Sequence, residues 1–290
     1  TMKFLKPDFY VKGIEYSNIE NDYSQGIIAE ENAIKEVGGQ LKFTDDLVFS
    51  SSALTNRHMN IFTKEAENFL IELSKKYSQK EIINYIDQIK KLKILIIGEA
   101  IIDEYCYGKS IGKAGKEPML ALKYIKTEKF AGGTLAIANH LADFCDNVSL
   151  FTLLGEINSQ EEFIESNLNK KIKRFFHYKK DSPTIVKRRF IEEVPDLRKL
   201  LEFYEFNDNS LDNAQTKELC AHLDKILQDY DAVIVADFGH GMLNEELINL
   251  ITKKSKFLAI NTQVNAGNMG YNIISKYPKA DYICLDEREL

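Results

Sequence analysis

The chain has 290 residues, 28% of them charged and 44% hydrophobic, with a formal net charge of −6. That is enough apolar material for one large or two unequal packed domains without covalent staples. The acidic balance argues against a nucleic-acid binder, which would show a strongly basic domain or stripe, and no apolar run approaches the roughly 18 residues needed to cross a bilayer. The four cysteines, Cys106, Cys145, Cys220 and Cys284, are widely separated and form no C-x-x-C pair. Reduced core thiols of a cytoplasmic protein are expected from them, and no zinc site. The opening Thr-Met-Lys-Phe-Leu-Lys-Pro lacks the apolar core of a signal peptide. Small molecules in the cytosol are therefore the expected partners, with neither nucleic acid nor membrane among them.

Residues 1–60 hold short strand candidates at 9–11 and 40–43 around a helix candidate at 27–37. That helix should stop at Gly38-Gly39, as helices commonly do at glycine. Two amphipathic helices follow. One begins after Thr63 and aligns Ala66, Phe69, Leu70, Leu73 and Tyr77; the other opens at Ser78-Gln-Lys-Glu81, a capping-box pattern, and repeats Ile82, Ile86 and Ile89. Both are expected to bury that face, making residues 61–92 a helical linker. From Lys93 onward, strands (93–97, 147–153, 231–236, 257–260, 281–285) alternate with helices (134–145, 160–169, 212–228, 245–254). This predicts an α/β domain over 93–290, a mostly parallel sheet with helices on both faces. Three stretches break the rhythm: 117–125 alternates, and 184–192 and 200–206 flank a turn at Pro195-Asp196. They are expected as antiparallel strands forming a small β lid over the sheet edge.

Several motifs collect at that edge. Lys93-Ile-Leu-Ile-Ile-Gly-Glu-Ala-Ile-Ile-Asp103 is an apolar strand that delivers a carboxylate, and Ala131-Gly-Gly-Thr-Leu-Ala-Ile-Ala-Asn139 opens a helix with a glycine pair. A parallel sheet presents a small polar ligand in this way. Asp103 can accept hydrogen bonds from adjacent hydroxyls, or cap a turn. Glu99 reads equally as a solvated edge residue. Gly132 and Gly133 allow close approach of the backbone, and Asn139 carries both donor and acceptor. In Pro183-Thr-Ile-Val-Lys-Arg-Arg189, Lys187 and Arg189 alternate along a strand, which suits a dianionic phosphate or an ordinary solvated face. Ala232-Val-Ile-Val-Ala-Asp237-Phe-Gly-His-Gly241 is a second strand ending in an acid and glycines. His240 in that turn reads as structural, because no nucleophile and acid are placed to form a triad with it.

Together these segments resemble the sugar-binding half of a ribokinase-type (PfkB family) carbohydrate kinase, whose first signature matches Ala-Gly-Gly-x-x-x-x-Ala-Asn at 131–139. The resemblance implies a ribokinase-like fold with ATP and Mg²⁺ as cofactors and a sugar or sugar phosphate as substrate. It further implies that Asp103, Gly132, Gly133 and Asn139 hold the sugar, that Thr184, Lys187 and Arg189 reach its phosphate, and that Asp237 lies near the transferred group. The Asp237 turn is similar to the Asp-Tyr-x-x-Gly of ADP-heptose synthase-like kinases. Two positions depart from that pattern: Asn261-Thr-Gln263 stands in place of Asp-Pro-Lys, and Asp286 in place of the asparagine of Asn-x-x-Glu, leaving Glu289 as the expected magnesium residue. The family's Gly-x-Gly-Asp, which carries the catalytic base, does not occur in residues 1–290. No catalytic residue is assigned on that account, and sugar binding without turnover is expected of the chain alone. A non-catalytic sugar-phosphate binding or regulatory module on a kinase scaffold is the alternative.

The front segment resembles a different family. Lys6-Pro-Asp-Phe-Tyr-Val-Lys-Gly13 with Glu15-Tyr16 is similar to the Lys-Pro-Asp-x-x-Val-Lys-Gly-x-Asp-Tyr of cytidylyltransferase-like nucleotidyltransferases, and Phe49-Ser-Ser-Ser-Ala-Leu-Thr-Asn56 to the serine-rich turn near their end. That resemblance implies a partial Rossmann-like segment over 1–60, with Lys12, Gly13, Ser51 and Ser52 at a nucleotide such as CTP. The chain is accordingly expected to be a piece of a longer bifunctional polypeptide serving nucleotide-activated sugar synthesis. The lid strands are the expected surface of a homodimer.

Overall fold

A computed structural model describes residues 2–13, 26–44, 62–193, 196–264, 267–268 and 270–289; Ser51 and Ser52 lie outside the described residues. The chain divides into two compact units, Thr1–Gln79 and Lys80–Leu290.

In the first unit a short helix α1 (Met2–Leu5) precedes β1 (Phe9–Gly13), α2 (Gly26–Glu36) and β2 (Gln40–Thr44). The strands pair in parallel from Phe9 opposite Gln40 to Gly13 opposite Thr44. Ile27 and Ile34 are the buried residues of α2, two turns apart on one stripe. Gly39 is required where the chain turns back: a Cβ there would overlap the carbonyl oxygen of Pro7. Helix α3 (Lys64–Lys76) is capped by Thr63, whose hydroxyl accepts from Ala66 N. Helix α4 (Gln79–Ile89) follows and, from Lys80 on, belongs to the second unit. The faces expected to be buried are not, since neither helix holds a buried residue, and Phe69, Leu70, Ile82, Ile86 and Ile89 of those faces are all exposed. Amphipathic spacing suffices to predict a helix, whereas burial needs an opposing surface.

The second unit is built on β3 (Lys93–Lys113). Its first half lies inside a parallel sheet of order β11 (Tyr282–Ile283), β10 (Leu258–Thr262), β9 (Ala232–Asp237), β3, β5 (Asn147–Ile157) and β6 (Lys173–Pro183). Successive β3 side chains enter opposite cores, as strand pleating requires. Leu95 and Ile97 pack with Leu219 and Leu223 of α7 (Asn213–Ile226) and Leu247 and Ile251 of α8 (Glu245–Lys254). Ile94 and Ile96 pack with Leu135, Ala138 and Ala142 of α5 (Thr134–Phe144) and Ile164 of α6 (Glu161–Asn167). Helices thus cover both faces, and the run 94–97 is apolar throughout for that reason.

Past Gly98 the same strand leaves the parallel sheet and becomes the centre of the lid. There it pairs antiparallel with β4 (Leu120–Gly133) and parallel with β7 (Ile185–Glu192), which pairs antiparallel with β8 (Arg198–Glu205). The lid is therefore not purely antiparallel, and the strand read as 93–97 runs on to residue 113. The acids at 99, 103 and 104 end the apolar run and conceal the continuation. Strand β6 was also hidden, because its lysines and arginine interrupt the apolar pattern. All four cysteines are free, and no helix among the described residues is long and apolar enough to cross a membrane.

Gly98 lets the sheet close at this bend, since a Cβ would overlap Ala236 O and press on Thr134 Cγ2. Gly98→Ala should therefore lower the unfolding free energy in urea by about 1–3 kcal/mol, the range of overpacking; an unchanged midpoint would show that the strands give way freely.

Candidate functional site

The lid register decides which residues meet. Asp103 lies opposite Lys187 and Phe130, Tyr105 opposite Arg189, Lys187 opposite Tyr204, and Arg189 opposite Glu202. Because side chains alternate, these residues share one face of the lid. Glu104 and Arg188 occupy the other face, where Glu104 pairs with Arg188 and, at 3.4 Å, with Lys129.

On the first face, Arg189 donates from Nη1 to Asp103 Oδ1 (2.5 Å) and from Nε to Glu202 Oε1 (3.0 Å), and its guanidinium lies 5.4 Å from the Tyr105 ring centroid. The Tyr204 hydroxyl donates to Glu202. Two carboxylates therefore occupy Arg189. Lys187 is different. Its ammonium stands 5.6 Å from the Tyr204 ring centroid and 5.9 Å from that of Phe238, with no hydrogen bond or ion pair among the described residues. Burial lowers its pKa, while nearby Asp103 pulls it back up. An ammonium drawn out of water without a counter-ion is poised to receive an anion.

The glycine pair serves this face from behind. A Cβ at Gly132 would overlap the Asp103 carboxylate, so the glycine makes room for a protein group. Gly133, at φ 55°, is the N-cap of α5 and makes no side-chain cap bond. Asn139 and Thr184 are engaged elsewhere. Asn139 donates to Asn167 O and accepts from Asn169 N, both at 2.8 Å, fastening the loop after α6. Thr184 donates to Ser159 O at 2.6 Å and accepts from Gly155 N at 2.8 Å.

Asp237 ends β9 and is buried. It accepts from Gly239 N (3.0 Å), Tyr277 OH (2.6 Å) and Lys276 Nζ (2.5 Å). Burial and this carboxylate push the Tyr277 phenol far above its ordinary pKa. Asp237 thus ties β9 to residues 276–277 and lines a cavity of about 200 Å³ with Asp208, Gly241, Asn272 and Lys276. Glu289 accepts from Val264 N at 3.3 Å and Asp286 N at 2.8 Å. Among the described residues there is no group of three His, Cys, Asp or Glu able to hold a metal ion. Glu289 thus lacks the companions of a protein-held site, and a magnesium ion there would have to arrive on nucleotide phosphates. In the first unit, Lys12 Nζ lies 2.5 Å from Glu30, and Gly13 pairs with Thr44.

Two residues that sequence reasoning left aside organise the centre. Glu99 is 1% exposed and accepts from Phe238 N (3.1 Å), His240 N (3.1 Å) and Met242 N (3.4 Å). Burial and neighbouring Asp237 push its pKa up to about 7. Lys179, also buried, donates to Asn207 O and Asn209 O at 2.5 Å and to His240 O at 3.4 Å. The sequence signal for Glu99 was an acid within an otherwise apolar run. Lys179 had none, since its strand was unseen.

No protein-family model matches the sequence. The bifunctional protein HldE of Haemophilus influenzae (strain PittEE) is 27% identical over 161 residues, 56% of this chain and 33% of that protein. HldE of Campylobacter jejuni (strain RM1221) is 27% identical over 200 residues, 69% of this chain and 41% of that one. Over these residues the chain is similar to the HldE proteins. It spans about a third to two fifths of their length, and the relationship bears out the PfkB-like kinase resemblance carried by the motifs. Solved structures of Escherichia coli phosphofructokinase-2 (TM-score 0.46, 13% identity, 59% of this chain and 54% of that one) and of an Agrobacterium tumefaciens carbohydrate kinase (0.41, 16%, 58% and 53%) are loosely similar in fold.

Glu99 should leave a mark on stability. Its folded pKa of about 7 exceeds the ordinary 4.5, so between those values the folded protein binds the proton that the unfolded chain releases. The resulting stabilisation is full at the acid end and is lost as pH rises through 7. Between pH 5 and 8 the unfolding free energy of wild type should fall by up to about 3 kcal/mol relative to that of Glu99→Gln. Parallel urea profiles for the two proteins would assign the pH dependence elsewhere.

Proposed function

We propose that the chain is part of an ATP-dependent kinase acting on a sugar or sugar phosphate, heptose-phosphate-like, within a bifunctional polypeptide for nucleotide-activated sugar synthesis. The observation that carries this reading is Lys187, a half-buried ammonium without a counter-ion beside the Asp103 carboxylate. A phosphate monoester would supply the missing negative charge, and Asp103 would accept hydroxyls of the same molecule. Arg189 orients the Asp103 carboxylate and is itself neutralised by Glu202, so it acts as a positioning residue. The relationship to HldE supports ATP as the phosphoryl donor, with Mg²⁺ entering on its phosphates near Glu289. Phosphoryl transfer also needs a group to take the hydroxyl proton. The Gly-x-Gly-Asp that supplies it in the resembled family is not among residues 1–290, which leaves these residues the tasks of binding and orientation.

The Lys-Pro-Asp and serine-rich motifs support a nucleotidyltransferase-like role for the first unit, with Lys12, Gly13, Ser51 and Ser52 toward a nucleotide such as CTP. Pairing of lids in a homodimer is supported by the exposed Tyr124, Leu201 and Phe203 on the outer strands. The second reading, a non-catalytic sugar-phosphate binding module, is favoured by the departures at Asn261 and Asp286.

Calorimetric titration of residues 1–290 with a heptose monophosphate and with the corresponding free heptose tests the reading. The phosphate ester should bind more tightly, and Lys187→Met should weaken it by about 10- to 100-fold, the worth of one charge-assisted hydrogen bond, while leaving the free sugar unchanged. Equal affinity for both sugars would remove the phosphate from the proposal. The same polypeptide supplied with ATP and Mg²⁺ should form no phosphorylated product; measurable turnover would mean that a base outside the Gly-x-Gly-Asp motif serves.

A further inference from the structure

His240 is 3% exposed, and its Nε2 is a buried side-chain atom with no hydrogen-bond partner. Buried polar atoms in folded proteins are nearly always paired, and an orphan calls for an explanation. Local disorder of the turn is no explanation, because its backbone is held from both sides. Glu99 takes the N–H groups of Phe238, His240 and Met242, and Lys179 takes the carbonyl of His240. The fold therefore fixes the residue and leaves its side chain unsatisfied.

The surroundings connect this atom to Lys187. The His240 ring lies 5.0 Å from Phe206, Phe206 lies 6.2 Å from Tyr204, and Tyr204 carries the Lys187 ammonium at 5.6 Å, with Phe238 on that ammonium's other flank at 5.9 Å. Lys187 and His240 thus share one aromatic wall, each with a nitrogen that has found no partner. Burial and the positive charge of Lys187 hold the imidazole neutral, with its pKa lowered to about 4; Lys179 acts in the same sense, and Asp208 and Asp237 oppose it. A neutral imidazole can still donate one N–H.

We propose that His240 is a substrate-binding residue whose Nε2–H donates to an oxygen of the same phosphate monoester that Lys187 receives. The ammonium supplies charge and the imidazole supplies direction, so the pair discriminates a phosphate from a hydroxyl. This rests on the reading of Lys187 as the phosphate's receptor.

The test combines wild type, Lys187→Met, His240→Phe and His240→Gln in calorimetric titrations with a heptose monophosphate, the free heptose serving as control. His240→Phe keeps a ring against Phe206 and deletes the donor; it should weaken binding of the phosphate ester about tenfold, the value of a hydrogen bond to a charged acceptor, and leave the free sugar unaffected. His240→Gln, which restores an N–H, should recover part of the loss. On wild type, inorganic phosphate should shift the His240 Nε2 resonance in nitrogen-15 NMR, a readout that a merely structural histidine would not give and that does not depend on either histidine variant folding. If Lys187→Met weakens phosphate binding while His240→Phe and the His240 resonance stay unchanged, this inference fails and the kinase reading survives. If Lys187→Met has no effect, or wild type does not distinguish the two sugars, the reading beneath it fails as well.

Discussion

The second unit depends on one buried carboxylate. Glu99 sits where β3 passes from the parallel sheet into the lid, and it accepts the backbone N–H groups of the turn that follows β9. Without that acceptor the turn would bury unpaired donors, each costing about 1–3 kcal/mol. Lys179 completes the arrangement from the carbonyl side by joining residues 207 and 209 to the same turn. Phe238 near Lys187 and His240 beside Phe206 keep their places because the Glu99 carboxyl group and the Lys179 ammonium, both withdrawn from water, hold the backbone between them.

The lid divides its cations by register. Arg189, two positions along from Lys187, meets Asp103 and Glu202 and is neutralised. Arg188, between them, points to the opposite face and finds Glu104. Lys187 alone of the three faces aromatic rings in place of carboxylates. Three consecutive basic residues thus carry three different tasks, and the pleat of one strand is enough to separate them. Gly132 contributes from behind by leaving the space that the Asp103 carboxylate fills.

Much of the scaffold was legible. The strand-helix alternation after Lys93 reads correctly because a strand buried on both faces must be apolar throughout and a helix lying on it must carry one apolar stripe. The pattern failed where those conditions did not hold. β3 carries acids once it leaves the parallel sheet, β6 carries lysines along its length, and α3 and α4 bury no residue of their stripes. Among the site residues, Lys187 and Arg189 share a face as their alternation implied and the strand register adds Asp103 to it, whereas Asn139 and Thr184 turn to loops that no local pattern announces.

By itself, then, the sequence determined the α/β class, the edge of the sheet at which polar residues gather, and the resemblance to PfkB-type kinases, because periodicity and short motifs are local properties of the chain. Tertiary structure decided which of those residues remain available. Arg189 and Asp237 are charged and suitably placed, but each is spent on partners far away in sequence, and Glu99, left open between a site residue and a solvated edge residue, is the buried centre. Such pairings depend on β3 serving two sheets at once, and the competition for partners that follows is settled only when segments distant along the chain are brought together.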